Sequence, residues 1–161
     1  MLRSVLTLIG IGGVCGVLLV GVANETAAPI QANRDAAARA VYQELLGKTL
    51  PPDSDLSTTL LGDCDQWLIR RLTQPGYAGD IEMIALWRAS NNAISLRTVR
   101  HLETPGIGDF IDTRVSDWMF KQDHQPLTQW QSLDNVSGAT ITTNAVIRSA
   151  VTMAQTVSVE C

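Results

Sequence analysis

The residues whose types and spacing could do chemistry lie in one hydroxyl-rich stretch, DNVSGATITTNAV at positions 134–146. Gly138 leaves room for close approach, and threonines follow at positions 140, 142 and 143. Apolar residues then recur at three- and four-residue spacing, which predicts a helix capped by Thr142 or Thr143. Unpaired N–H groups and the positive end of the helix dipole favour an anion at such a helix start. These residues alone allow either an ordinary capped helix or a phosphate site beside an exposed threonine.

The segments before this stretch predict the sheet that must position it. Residues 66–72 form a short candidate strand, and residues 80–88 and 93–100 flank an asparagine-rich turn as a hairpin. A loop with the sequence HLETPGIGD follows at positions 101–109, and residues 115–120 predict a short helix. Strand pairs with flanking helices favour the α+β class with a mainly antiparallel sheet.

The N-terminal segment predicts a membrane anchor. Residues 5–22 read VLTLIGIGGVCGVLLVGV and carry no charge, and about 20 such residues span a bilayer core of roughly 30 Å. Arg3 precedes them, which favours an N-terminus on the cytoplasmic side and a domain on the external side. A signal peptide cleaved near Ala23 is the alternative, but apolar cores of signal peptides run about 7–15 residues. Both interpretations export the rest of the chain.

Breaks in pattern suggest how the chain is divided. Pro29 predicts the end of the first helix, and residues 31–46 predict a separate amphipathic helix. We therefore expect a membrane anchor at 1–24, a linking helix and connector at 25–52, and one domain at 53–161.

Composition narrows the classes of partner and ligand. The 161 residues carry a net charge of −4 and no basic run, which argues against nucleic acid as a partner. Cys64 and Cys161 lie in the part expected outside the cytoplasm, where they can form a disulfide, although two unrelated thiols fit equally well. Two distant histidines, His101 and His124, give little support to a metal cluster.

Several motifs together resemble the exported FMN-binding domains. Ser137-Gly138-Ala139-Thr140, followed by Thr142, looks like the flavin-attachment motif of that family, and the loop at 101–109 resembles the signature upstream of it. Gly-Tyr-x-Gly at 76–79 and Ser-Asp-Trp at 116–118 also match in order and spacing. The resemblance is to the G subunits of Rnf electron-transport complexes, with the C subunits of sodium-pumping NADH:quinone reductases as relatives. The region 120–134 is shorter than is usual there.

The resemblance implies a covalent flavin. In that family a flavin transferase esterifies the phosphate of FMN to the last threonine of the motif, which corresponds here to Thr140. It further implies that Glu103 and the glycine-rich loop contact the ring or ribityl chain. The cofactor-binding residues expected in addition to Thr140 are Ser137, Gly138, Ala139, Thr142, Glu103, Thr104, Gly106 and Tyr77.

The implied function is electron transfer through FMN in a membrane-bound, ion-translocating complex of the ferredoxin/NAD type. Its partners would be other membrane subunits, the flavin transferase during maturation, and membrane lipid around a single-pass helix in the cytoplasmic membrane. One alternative is the FMN-bearing subunit of a sodium-pumping NADH:quinone reductase or another exported flavin carrier. A second is a membrane-anchored binding or scaffold module without flavin, in which the helix after residue 140 is purely structural.

Overall fold

The computed structural model describes residues 2–49 and 60–161, with side chains from residue 4 onward. Contacts divide the chain into two units, Met1–Ala37 and Ala38–Cys161. The elements are α1 (Leu2–Leu46), β1 (Leu60–Asp63), β2 (Trp67–Pro75), β3 (Asp80–Arg88), β4 (Ala93–Arg100), a 3-10 turn (Asp109–Ile111), α2 (Trp118–Lys121), α3 (Leu127–Gln131) and α4 (Thr140–Glu160). The strands form one antiparallel sheet in the order β1-β2-β3-β4, so the predicted α+β class is confirmed.

The first unit is helical, and its side chains from Ser4 to Ala37 are exposed. The helix is long and apolar enough to cross a membrane by length and composition. The prediction that Pro29 ends this helix is wrong, because α1 continues through it to Leu46. A proline removes one backbone hydrogen bond, and a helix of this length can lose one bond without ending. The expected boundary between residues 52 and 53 lies outside the described residues.

The predicted hairpin is confirmed with the same bounds, as β3 and β4. Strand β2 extends three residues beyond the predicted end at Leu72, and β1 was not predicted. β1 has four residues and, among the described strands, pairs with β2 alone, from Leu60 opposite Arg70 to Asp63 opposite Trp67. An edge strand this short shows too little alternation to be recognised from sequence.

Both faces of the central strand β3 are covered, which explains its nearly continuous apolar sequence. On one face, Met83 packs in a core with Val146, Ala150 and Met153 of α4. On the other face, Ile84 packs in a second cluster with residues of the last two turns of α1. The larger core is completed by residues from both predicted and unpredicted segments, including Leu68, Leu96, Ile111, Met119, Trp130 and Ala145.

The segment between β4 and α4 is mostly turns and short helices. The helix predicted at 115–120 is present only as the four residues of α2, and α3 was not predicted. Trp130 in α3 is fully buried, and its Nε1–H donates to the Ile94 carbonyl at 3.1 Å. Trp118 is half-buried and packs edge-to-face on Phe110, with ring centroids 4.8 Å apart. These aromatic contacts fix the segment on the sheet, and α4 follows it.

A disulfide joins Cys64, directly after β1, to Cys161, directly after α4, with 5.5 Å between the two Cα atoms. The two cysteines are 97 residues apart in sequence. The bond therefore ties the C-terminal end of α4 to the edge of the sheet. Exported proteins are where such bonds persist.

An ion pair braces the loop that follows β4. Asp112 accepts from the Arg114 side chain at 2.6 Å and from the Arg114 backbone N–H at 2.9 Å, and His101 Nε2 lies 3.5 Å from the same carboxylate. The hydrogen bond from the Arg114 guanidinium lowers the pKa of Asp112 to about 2, against a smaller upward effect of burial. The deprotonated carboxylate therefore stabilises the folded loop.

We predict that loss of the disulfide destabilises the domain without changing its fold. The Cys64→Ala/Cys161→Ala variant should lose about 2–4 kcal/mol in the free energy of unfolding, since a cross-link over a long loop restricts the unfolded chain. Urea denaturation of the full chain in detergent measures this loss. Cys15→Ala, which removes the free exposed thiol of α1, is the control and should be neutral. Equal stabilities for all three proteins would refute the prediction.

We also predict that Arg114→Ala weakens the acid sensitivity of the loop. Because the folded-state pKa of Asp112 lies below its ordinary value of 3.8, its contribution to stability is present above about pH 4. That contribution is lost as the pH falls toward 2. In Arg114→Ala the carboxyl should titrate at higher pH, which a carbon-detected NMR titration of Asp112 measures. Lys121→Ala removes one exposed cation elsewhere and should leave that titration unchanged, and an unchanged titration in Arg114→Ala would disprove the role of the pair.

Candidate functional site

A cavity of about 350 Å³ lies where three segments meet: the β2–β3 turn, the loop after β4, and the start of α4. Its volume falls in the range of roughly 300–1,000 Å³ typical of small-molecule sites. The lining residues are Tyr77, Glu103, Thr104, Ile107, Gly108, Gly138, Ala139, Thr140, Ile141 and Thr142.

Seven of the nine residues expected to bind or carry the cofactor line this cavity. Ser137 and Gly106 do not, although each directly neighbours the segments that do. The sequence reasoning missed Ile107, Gly108 and Ile141. All three lie inside or beside the two motifs, but nothing in the sequence indicates which side of an irregular loop faces a cavity.

The start of α4 is built by a tight turn. Gly138 has a φ of +79°, a left-handed conformation that favours glycine. The Ala139 N–H donates to the Val136 carbonyl at 2.9 Å, and the helix begins at Thr140. Ala139 directly precedes the first turn, and its side chain makes no capping hydrogen bond. The first backbone N–H groups of α4 therefore have no side-chain cap and are available to a ligand.

The prediction that Thr142 or Thr143 caps α4 is wrong, because both lie inside its first turn. Thr143 instead fastens the preceding loop to the helix. Its hydroxyl donates to the Ala139 carbonyl at 3.1 Å and accepts the Val136 N–H at 3.2 Å. A threonine inside a helix whose hydroxyl bonds back to the carbonyl four residues earlier is an ordinary alternative to capping.

The three threonines at the helix start have different environments. Thr142 and Thr143 are 1% and 0% exposed, whereas Thr140 is exposed. The Thr142 hydroxyl donates to the Glu103 carboxylate, and that of Thr143 is bonded to the backbone. Of these three hydroxyls, that of Thr140 alone is open to a reagent from solution.

Glu103 is the buried charge of the site, with 4% exposure. Its Oε1 accepts the backbone N–H groups of Tyr77 at 2.8 Å and Ala78 at 3.2 Å. Its Oε2 accepts the hydroxyl of Thr142. One carboxylate thus connects all three segments that form the cavity, and both of its oxygens have partners within the protein. Charge-assisted hydrogen bonds of this kind are stronger than neutral ones.

Two neighbouring side chains hold the Glu103 loop in place. His101 Nδ1 accepts the backbone N–H of Glu103 at 3.2 Å, which gives this histidine a structural role beside the end of β4. The Asp109 carboxylate accepts the Gly106 N–H at 2.9 Å and closes the glycine turn. Both contacts hold the backbone of the loop, and neither residue lines the cavity.

The rim of the cavity is apolar. Tyr77 is 71% exposed, and Ile107 and Ile141 are about half exposed. An exposed tyrosine at a cavity mouth offers a flat aromatic face to a planar ligand. The described residues hold no group of three His, Cys, Asp or Glu side chains that could bind a metal ion. The geometry suits a molecule with a planar, largely apolar part and an anionic end that lies near the start of α4.

Comparison with known proteins indicates which planar, anionic molecule this cavity suits. Residues 76–155 match the FMN-binding domain family, a range that contains every residue lining the cavity. Over 107 residues the chain is 34% identical to the G subunit of the ion-translocating oxidoreductase complex of Pseudoalteromonas atlantica, covering 60% of this chain and 50% of the relative. The protein of the same name from Yersinia pestis is 38% identical over 85 residues, covering 46% of this chain and 41% of the relative.

The chain thus spans about half the length of the curated relatives it matches. Both parts of the resemblance inferred from the motifs are confirmed: the FMN-binding domain and the similarity to G subunits. Through residues 76–155, the chain belongs to the FMN-binding domain family and is similar to the G subunits of ion-translocating oxidoreductase complexes.

Proposed function

We propose that this chain is an electron-carrying subunit of a membrane-bound, ion-translocating oxidoreductase complex, and that it carries FMN on the hydroxyl of Thr140. The observation that supports this most is the contrast among three threonines at one helix start. Thr140 is exposed at the cavity, while the hydroxyls of Thr142 and Thr143 are buried and bonded within the protein. Covalent attachment would retain the cofactor outside the cytoplasm, where free flavin cannot be assumed.

The residues around the cavity fit FMN on physical grounds. The free N–H groups in the first turn of α4 suit the phosphate, and Gly138 and Ala139 leave space beside Thr140. A Cβ on Gly138 would meet only the Ile107 methyl at 3.8 Å, so a side chain would not be crowded at this position. Glycine is favoured there because the backbone φ is positive. Tyr77 would contact the ring, and Thr104 offers a hydroxyl at the loop side. Ser137 and Gly106 would shape the loops that hold these groups.

The attachment step conserves atoms and electrons. The Thr140 oxygen forms a bond to phosphorus and loses its proton, and the bond from phosphorus to the leaving group breaks. With flavin adenine dinucleotide as the donor, the leaving group is adenosine monophosphate, whose phosphate oxygen keeps the electron pair of the broken bond, and the threonine proton passes to that phosphate or to solvent. No electrons are gained or lost. Once attached, FMN supplies reversible electron uptake, while the protein orients the ring and adjusts its environment.

The proposed location is a single-pass anchor in the cytoplasmic membrane with the domain on the external side. Two observations support it: α1 has the length and composition of a membrane-crossing helix, and Cys64 and Cys161 are bonded. The partners would be other membrane subunits of the complex, lipid around α1, and a flavin transferase during maturation. The names of the relatives support a complex of this kind.

The first test replaces the attachment residue. Thr140→Ala should abolish covalent flavin, because alanine has no oxygen to bond to phosphorus, while Thr140→Ser should keep it. The full chain is expressed with and without a flavin transferase and analysed by fluorescence in a denaturing gel and by intact mass. Wild type should gain the mass of FMN minus water only with the transferase.

Two results would contradict the proposal. Flavin fluorescence that persists on the Thr140→Ala band would show that another residue is the attachment site. A wild-type chain that gains no mass beside an active transferase would favour an anchored binding module without flavin.

The second test concerns the aromatic rim. In folded, flavin-loaded protein, Tyr77→Ala should raise flavin fluorescence, because a tyrosine stacked on the flavin ring quenches the fluorescence of that ring. Steady-state fluorescence of native samples, normalised to the flavin absorbance, measures the change. Val159→Ala alters an exposed residue at the far end of α4 and should have no effect. Equal fluorescence for Tyr77→Ala and wild type would remove Tyr77 from the ring contacts.

A further inference from the structure

We infer that Glu103 is a positioning residue for flavin attachment. It accepts a hydrogen bond from the Thr142 hydroxyl and so leaves Thr140 as the single acceptor of the flavin phosphate. This inference rests on the proposed function and deepens it. It differs from the role that the family resemblance suggests, in which Glu103 contacts the flavin itself.

Both oxygens of the Glu103 carboxylate accept hydrogen bonds within the protein. Oε1 accepts from the backbone of Tyr77 and Ala78, at 2.8 and 3.2 Å, and Oε2 accepts from the Thr142 hydroxyl. Because Glu103 is 4% exposed, loss of any of these bonds would leave its donor without solvent to replace the carboxylate.

The backbone around Glu103 is shaped for this carboxylate. A Cβ on Gly76 would overlap Glu103 Oε1, and a Cβ on Gly108 would lie 2.8 Å from Oε2 and 3.1 Å from the Thr142 hydroxyl. The two glycines come from different segments, the β2–β3 turn and the loop after β4. Any larger residue at either position would displace the carboxylate, so the space belongs to Glu103 rather than to a ligand.

Helix geometry connects this contact to the acceptor. Successive helical residues rotate by about 100°, so side chains two positions apart point in directions that differ by roughly 200°. When Glu103 holds Thr142 toward the interior, Thr140 is therefore turned outward, where it is exposed. The same bond prevents Thr142 from competing with Thr140 for the flavin phosphate, since the Thr142 hydroxyl is buried and donates a hydrogen bond to Glu103.

The experiment is a double-mutant cycle on the rate of attachment. Full-length, unmodified protein in detergent is incubated with flavin transferase and flavin adenine dinucleotide, and covalent FMN is followed by intact mass to give kcat and KM. The variants are Thr142→Val, which keeps the shape but loses the hydroxyl, Thr142→Ser, which keeps the hydroxyl, Glu103→Gln, and Glu103→Gln/Thr142→Val.

We expect Thr142→Val and Glu103→Gln each to slow attachment by about 10- to 100-fold, the range that corresponds to loss of a hydrogen bond to a charged group. Thr142→Ser should recover most of the rate. The double variant should be no slower than the slower single variant, because both substitutions remove the same contact. The flavin that does attach should keep the wild-type absorbance spectrum and midpoint potential, since Glu103 does not touch the ring.

A matched control separates positioning from general destabilisation. Glu82 is a half-buried carboxylate on the sheet, paired with Arg71 at 2.7 Å and Arg100 at 2.5 Å. Burial raises the pKa of Glu82, but hydrogen bonds from the two arginines outweigh it and lower the pKa overall. Glu82→Gln should therefore cost stability but leave the attachment rate unchanged, measured well below the unfolding temperature of each variant.

Three results would overturn the inference while the proposed function stands. They are a wild-type attachment rate in Glu103→Gln, additive losses in the double variant, and a shifted spectrum or potential in flavin-loaded Glu103→Gln. A wild-type chain that gains no FMN at all would overturn the proposed function, and the inference with it.

Discussion

The buried carboxylate of Glu103 is the contact on which the candidate site depends. It accepts hydrogen bonds from the β2–β3 turn and from the first turn of α4, while its own backbone belongs to the loop after β4. Among the residues that line the cavity between these three segments, Glu103 is the one charged side chain. A buried charge must be hydrogen-bonded to be tolerated, so the requirement of Glu103 for donors fixes the relative positions of the segments and hence the cavity between them.

The rest of the domain gives α4 a fixed position. Its start forms one wall of the cavity, its middle packs on the central strand through residues such as Val146 and Met153, and its end is bonded to Cys64. A helix held at three points along 21 residues cannot easily rotate about its axis. Such a rotation would turn Thr140 inward and Thr142 toward solvent, so the packing that stabilises the fold also determines which hydroxyl is exposed.

The sequence predicted much of this arrangement where its signals were regular or specific. The hairpin bounds, the membrane-length helix and the two motifs could be read directly, because alternation, an uncharged apolar run and fixed residue order are strong signals. Continuation of α1 through Pro29 was missed, since a local breaker is outweighed by a long helix. The β1 and α3 elements were missed because four or five residues carry too little periodicity.

Within the site, residue types were predicted better than their contacts. The sequence placed Glu103 and Thr142 among the cofactor ligands, but it could not show that each is the other's partner. That pairing joins residues 39 apart in sequence and follows from tertiary packing. Likewise, Thr142 and Thr143 looked like caps because local hydroxyls usually cap helices. The glycine turn at residue 138 instead starts the helix at Thr140, so both of these threonines lie inside its first turn.

The central claim is that one oxygen atom, on Thr140, carries the flavin, and peptide mapping tests it most directly. Trypsin releases residues 122–148 of the loaded wild-type protein as one peptide, which contains Thr128, Thr140, Thr142 and Thr143. Fragmentation by tandem mass spectrometry should place the added mass of FMN minus water on Thr140 alone. Mass on Thr142, or divided between Thr140 and Thr142, would contradict the account, because it would mean that the contact with Glu103 does not keep the second hydroxyl out of the reaction.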